Sequence, residues 1–135
     1  MTTDRILTGL LLGAALLCPR ASIAEALDGK ALFAKNCAAC HQATGRGIPG
    51  AFPALAANPL VQGPAAEVAT VLLKGRGGMP DFSGSLGDRD IALVLSYVRG
   101  SWGNHGAPLQ EADVTALREA LQLPPANDGA HGNKH

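Results

Sequence analysis

The sequence has 135 residues, enough for one domain but few for two. Its formal net charge is zero, which argues against a nucleic-acid-binding protein, because such a protein needs a basic surface. Seventeen glycines and nine prolines stand beside only three phenylalanines, one tyrosine and one tryptophan. These few large side chains make a thin core, so we expect another group to fill part of it.

The first 24 residues have the three parts of a secretory signal peptide. Arg5 contributes positive charge, residues 6–18 are apolar and uncharged, and residues 22–24 are small enough for a cleavage site. The apolar run is too short to span a bilayer comfortably. We therefore predict export to the periplasm with removal of residues 1–24. Cleavage after Ala26 and an uncleaved amphipathic anchor are the alternatives.

Four segments have the apolar spacing of amphipathic helices, and none has a strand pattern of useful length. In the first segment Asp28 is a suitable N-cap, and Phe33, Cys37 and Cys40 recur at helical spacing on one face. We therefore predict an all-α domain over residues 25–123. The four helices are expected at about residues 28–40, 64–74, 88–99 and 110–121.

Two long loops join these predicted helices, at residues 41–63 and 75–87. Both are rich in glycine, and long irregular loops are uncommon in a small domain unless they have a function. Wrapping a flat cofactor would provide one. Residues 124–135 are polar and contain glycine, so we predict a disordered tail there.

The pentapeptide Cys-Ala-Ala-Cys-His at residues 37–41 has the C-x-x-C-H form of a c-type haem attachment site. Each thiol can add to one haem vinyl group, so Cys37 and Cys40 would form two thioethers on the same side of a helix. His41 follows directly and would bind the iron as the proximal ligand. The motif therefore predicts one covalently attached haem c.

A cysteine pair of this spacing can serve three purposes other than haem attachment. A thioredoxin-type site expects a βαβ context, and a zinc site needs four ligands. A disulfide between Cys37 and Cys40 is possible in an oxidising compartment. The adjacent His41 and the export signal favour haem attachment over all three.

Met79 is the only methionine after residue 24, and it lies in Gly-Gly-Met-Pro at residues 77–80, shortly before the third predicted helix. Glycines let the backbone approach a haem closely, and a thioether ligand raises the reduction potential. We predict that Met79 is the second iron ligand, with His105 as the alternative. Two filled axial positions leave no site for a substrate, so we predict no catalytic residue and an electron carrier instead of an enzyme.

These features resemble the class I cytochrome c family over about residues 28–104. The resemblance implies the class I cytochrome c fold, an all-α domain of about four helices wrapped around one covalently bound haem. It also implies that the first and last helices of the family fold cross near Gly29, Phe33 and Tyr97. The family normally has serine or threonine where Gly87 stands, so the third helix is expected to have a weaker cap.

Residues 52–55, Phe-Pro-Ala-Leu, resemble the family segment whose proline carbonyl accepts a hydrogen bond from the axial histidine. This match implies that Pro53 orients the imidazole of His41. An ordinary loop proline is the alternative. Two roles are also open for Trp102. It could cover the haem edge or a haem propionate, or it could be ordinary hydrophobic cover for the third helix.

Residues 95–104 and 58–61 resemble the cytochrome subunits of bacterial membrane-associated alcohol, aldehyde and sugar-acid dehydrogenases. Those subunits carry several haems, whereas this chain has one attachment motif. The resemblance implies a periplasmic dehydrogenase as electron donor and an oxidase or another cytochrome as acceptor, with membrane contact only through these partners. The near-neutral charge favours an apolar docking patch, for which Ile48, Ala51 and Phe82 are candidates.

Two further functions stay open at this point. The chain could be a dedicated, non-catalytic electron-transfer subunit of a dehydrogenase complex. It could also be a haem enzyme or gas sensor, which requires that Met79 leave the iron free.

Overall fold

The computed structural model describes residues 21–126, with side chains from residue 28 onward. Most of the predicted signal peptide and most of the predicted tail lie outside the described residues. The described chain folds into six helices, and within it no strand forms beyond two isolated bridges, Ile48 with Phe52 and Arg76 with Met79. The helices are α1 Ala21–Asn36, α2 Ala38–His41, α3 Pro59–Gln62, α4 Ala65–Lys74, α5 Asp88–Arg99 and α6 Glu111–Ala120.

The first predicted helix was wrong at both ends. It begins by Ala21, so Asp28 lies inside it and does not cap it. It ends at Asn36, where Cys37 takes a non-helical conformation with φ −123° and starts the single turn of α2. The cysteines therefore do not continue the buried face of α1: Phe33 is buried, but Cys37 is half-buried and Cys40 is exposed.

The long loop at residues 41–63 contains a helix that the sequence did not predict. Asn58 caps α3, because its side-chain oxygen accepts hydrogen bonds from the backbone N–H groups of Leu60 and Val61, at 2.9 and 3.3 Å. Pro59 occupies the first helical position, where its missing N–H costs nothing. Four residues are too few for an apolar repeat, so only the cap and proline signalled this helix.

The remaining three helices match the predicted segments closely. α4 begins directly after Pro64, and α5 has the predicted bounds. α6 is one residue shorter at each end and starts with a capping box, in which the Gln110 backbone N–H donates to the Asp113 carboxylate at 2.8 Å. Gly87 offers α5 no side-chain cap, as expected.

α1 and α5 cross at Gly29, with their backbones in close contact. A Cβ atom at Gly29 would collide with the Leu93 carbonyl oxygen and lie 2.9 Å from Cβ of Tyr97. One turn further along, the Phe33 and Tyr97 rings pack with centroids 5.7 Å apart. The helix crossing implied by the family resemblance is therefore present, and only glycine permits it at this separation.

The buried side chains form one core that lies between α1, α4, α5 and α6. Val114 and Leu109 belong to it, so the C-terminal extension is part of the folded domain. The other buried apolar residues come from α1, α3, α4, α5 and the loop before α5: Phe33, Val61, Val68, Ala69, Leu72, Leu73, Leu86, Ile91, Ala92, Val94, Leu95 and Val98.

Among the described residues, no helix combines the length and apolar character needed to cross a membrane.

Replacing Gly29 by alanine tests the helix crossing. Alanine normally favours a helix over glycine, but here its methyl group must push α1 away from α5, so Gly29→Ala should lower the free energy of unfolding by about 1–3 kcal/mol. The matched control is Gly100→Ala, where the new Cβ lies at an ordinary 3.5 Å from the Ser96 oxygen. Denaturant unfolding followed by circular dichroism compares the two. Equal stability of the two variants would contradict the close crossing.

Candidate haem-binding site

His41 ends α2 and is held by the loop that follows it. The side chain is buried, and its Nδ1 lies 3.0 Å from the Pro53 carbonyl oxygen. A carbonyl oxygen can only accept, so Nδ1 carries the proton in this hydrogen bond, and in a neutral imidazole Nε2 then has the lone pair. The ring is therefore fixed in one orientation, with one nitrogen available to a metal.

The loop after His41 turns back to make this contact. Gly47 donates its backbone N–H to the His41 carbonyl at 3.0 Å, and Ile48 and Phe52 exchange two backbone hydrogen bonds of 2.9 and 2.8 Å. Gly47 has φ +62°, and a Cβ there would lie 2.5 Å from the Pro53 oxygen. A glycine is therefore required where the chain passes the carbonyl that holds His41.

The two cysteines precede His41 on the turn between α1 and α2. Both thiols are free, and Cys37 lies partly in the core while Cys40 is exposed. Burial raises the pKa of the Cys37 thiol to about 11, with a smaller electrostatic contribution from Cys40. Before haem attachment, Cys37 is therefore a neutral thiol at pH 7.

Asn104 fastens the same loop to the end of α5, and sequence reasoning did not assign it a role. It is 2% exposed. Its amide nitrogen donates to the Leu55 and Val98 carbonyls at 2.9 and 3.0 Å, and its oxygen accepts from the Asn58 backbone N–H at 3.2 Å. The only feature of the sequence that could have indicated this role is the presence of a polar residue two positions after Trp102.

Trp102 covers the junction between the helix crossing and this loop. Its ring packs on Phe33 and Tyr97 with centroids 5.0 and 5.5 Å away. A Cβ at Gly45 would collide with the Trp102 ring, so the loop backbone passes directly against the indole. These contacts are those of a hydrophobic cover, and a role of Trp102 at the haem edge stays a prediction.

Met79 reaches the domain from a second loop, residues 75–87, which we call the Met79 loop. Met79 and Arg76 exchange two backbone hydrogen bonds of 3.1 and 3.0 Å around Gly77 and Gly78. The Met79 side chain is half-buried and packs against the core. A Cβ at either glycine would meet no atom within 4 Å, so the turn has an open surface. His105, the alternative ligand, is exposed on the segment between α5 and α6.

These donors fit a covalently bound haem. The structure places two cysteines outside any disulfide on the turn that ends at a histidine bonded through Nδ1, and these are the groups that c-type attachment uses. In the part of the chain described, no three His, Cys, Asp or Glu side chains converge as a metal site.

A small all-α domain with a C-x-x-C-H turn and a histidine held by a backbone carbonyl is typical of c-type cytochromes. The family model described as "Cytochrome C oxidase, cbb3-type, subunit III" matches residues 24–98. The chain belongs to this family of cytochromes c. It is an electron carrier with covalently bound haem c, and the predicted class I fold is confirmed.

Several known cytochromes are similar to the chain. The cytochrome c subunit of alcohol dehydrogenase (quinone) from Gluconacetobacter polyoxogenes is 35% identical over 106 residues, covering 69% of this chain and 23% of that subunit. The gluconate 2-dehydrogenase cytochrome c subunit from Pantoea cypripedii is 30% identical over 109 residues, covering 70% of this chain and 25% of that subunit. Cytochrome c6 from Microcystis aeruginosa is 36% identical, covering 53% and 90%.

The resemblance to dehydrogenase cytochrome subunits is thus confirmed, while the chain spans about a quarter of the length of those subunits.

Removing the Asn104 side chain tests how the histidine-holding loop is fixed. Asn104→Ala removes three hydrogen bonds and leaves the Leu55 carbonyl and the Asn58 N–H without this partner, so the free energy of unfolding should fall by about 2–4 kcal/mol. Hydrogen exchange at Leu55 and Ala56, whose N–H groups bond to Gly45, should accelerate in the same variant. Asn36→Ala, which loses one bond within α1, is the control. Unchanged exchange would contradict this role of Asn104.

Proposed function

We propose that the chain is an exported monohaem cytochrome that transfers single electrons through an iron bound by His41 and Met79. Residues 1–24 are removed on export, and the mature domain works in the periplasm. The observation that carries the proposal is the hydrogen bond from His41 Nδ1 to Pro53, which directs Nε2 away from the loop. Histidines that bind metals commonly donate their other N–H to a backbone carbonyl.

Cys37 and Cys40 hold the cofactor covalently in this proposal. Cys40 is exposed and Cys37 is half-buried at the edge of the core, on the turn that leads to His41. Haem c supplies a reversible one-electron couple when bound. The chain supplies the tether, the histidine in a fixed orientation and an apolar enclosure that limits reorganisation around the iron.

Met79 is the second ligand in the proposal because it is the one thioether of the mature chain and lies on a loop fixed by α4 and the core. Phe82 donates its backbone N–H to the Leu72 carbonyl at 2.9 Å, three residues after Met79. A thioether ligand favours the ferrous state, which suits a carrier that accepts electrons from a dehydrogenase.

Substitution of Met79 tests the function directly. The oxidised protein should show the weak far-red absorption band of a methionine-ligated haem, and the reduced protein should not bind carbon monoxide at neutral pH. Met79→Ala should lose the band and bind carbon monoxide, while Ser85→Ala, an exposed change in the same loop, should behave as the natural protein. Carbon monoxide binding by the unaltered protein would instead support a gas sensor or haem enzyme.

We propose a periplasmic dehydrogenase as donor and an oxidase or another cytochrome as acceptor. The similarity to cytochrome subunits of alcohol and gluconate dehydrogenases supports the donor. It equally supports a second form of the proposal, in which the chain is a dedicated subunit of such a complex and not a diffusing carrier. In both forms membrane contact is indirect.

The docking surface is proposed at the hairpin formed by residues 48–52, which we call the apolar hairpin. Ile48 and Phe52 are its exposed large apolar side chains, at 38% and 39%. The hairpin joins directly to Pro53, so a partner seated there would lie next to the residue that holds His41. Phe82, also a sequence-based candidate, is half-buried against the core and contributes less surface.

A charge placed on the apolar hairpin should slow electron transfer to the cytochrome. Ile48→Glu should slow reduction of the cytochrome roughly tenfold, because the buried centre of an interface tolerates charge poorly. The electrons are supplied by membranes of the source organism with ethanol or gluconate as substrate. Ala112→Glu adds the same charge on the exposed side of α6 and is the control. Stopped-flow absorbance measures both. Equal slowing by the two variants would contradict docking at this hairpin.

A further inference from the structure

Arg118 is a buried arginine on α6, beyond the part of the chain that the family model matches. It is 3% exposed. Its Nε donates to the Asp88 carboxylate at 2.7 Å. Its Nη1 donates to the Ser83 carbonyl at 2.9 Å and the Pro124 carbonyl at 3.2 Å. One guanidinium therefore joins α6 to three other segments.

Two of these segments adjoin Met79. Ser83 lies in the Met79 loop four residues after the methionine, and its hydroxyl donates to the Asp81 carboxylate at 2.9 Å. Asp88 is the first residue of α5, directly after the loop ends. Its second carboxylate oxygen accepts from the Thr115 hydroxyl at 2.8 Å, so α6 engages both oxygens. The second half of the Met79 loop is thus bounded on both sides by contacts to α6.

Packing alone does not explain an arginine at this position. Burial of a charge is unfavourable even when it is paired, and a well-packed apolar side chain often gives equal or better stability. The Nη2 atom of Arg118 is also buried without a hydrogen-bond partner among the described residues, which adds to the cost. Unlike leucine, arginine has a planar guanidinium group whose rigidly placed N–H donors can fix a carbonyl and a carboxylate at set positions.

The first half of the Met79 loop is anchored elsewhere, by the Arg76–Met79 backbone pair and the bond from Phe82 to Leu72. Between Phe82 and the buried Leu86, the Ser83 carbonyl accepts a hydrogen bond from α6. We propose that Arg118 is a positioning residue that holds the Met79 loop against the domain and thereby limits dissociation of Met79 from the iron. This inference rests on the proposed ligation by Met79.

Imidazole is the probe that tests this role, because it can bind the oxidised haem protein only where Met79 has left the iron. Arg118→Leu should keep the far-red band of the methionine-ligated state but bind imidazole roughly five- to thirtyfold more tightly, the factor expected when hydrogen bonds of ordinary strength are lost. Arg118→Lys keeps a positive charge for Asp88 but lacks the planar guanidinium group, so its imidazole affinity should lie between those of the natural protein and Arg118→Leu.

Arg99 supplies the matched control. It is also a buried arginine bonded to backbone carbonyls, those of Val61, Gly63 and Ala107 at 2.6 to 2.9 Å, but none of these belongs to the Met79 loop. Arg99→Lys should reduce global stability and leave imidazole affinity within about twofold of the natural protein, within the scatter of a neutral change. If Arg118→Leu does not fold, Arg118→Lys and Asp88→Asn carry the test.

The outcomes distinguish the proposed ligation of iron by Met79 from the proposed positioning role of Arg118. If the far-red band is absent from the unaltered protein, the proposed function fails whatever Arg118 does. If the band is present but Arg118 variants bind imidazole no more tightly than Arg99→Lys, the positioning role is overturned and the ligation stands.

Discussion

The hydrogen bond between His41 and Pro53 is the interaction on which the rest of the site depends. It decides which imidazole nitrogen carries the proton, and so which one can bind iron. The bond forms because the loop doubles back at Gly47 and because Asn104 fixes residues 55 and 58 to the end of α5. Several features of an irregular loop thus serve to orient one ring.

The helices provide the frame against which that loop is held. α1 and α5 approach so closely at Gly29 that Phe33, Tyr97 and Trp102 form one aromatic cluster beside the crossing. The backbone at Gly45 rests on the Trp102 ring. The position of the loop that follows His41 is therefore set by the same contacts that fix the helix pair, which suits a carrier whose geometry should change little between oxidation states.

The sequence predicted the features that have local causes. α4, α5 and α6 were placed to within one residue because their apolar spacing and end signals lie within each helix. The break at Cys37 was missed because the helical spacing of Phe33 and the cysteines continues through it. α3 was missed because it has only four residues. The roles of Asn104 and Arg118 depend on partners 30 to 49 residues away, which no local pattern encodes.

The state of the His41 ring is the most direct measurement of this account. Nitrogen-15 NMR of the reduced, haem-loaded protein should show an imidazole proton on Nδ1 that exchanges slowly with solvent, because it is buried and bonded to the Pro53 carbonyl, and no proton on Nε2. A proton found on Nε2, or an Nδ1 proton that exchanges as fast as one on a free histidine, would contradict the arrangement from which the function is inferred.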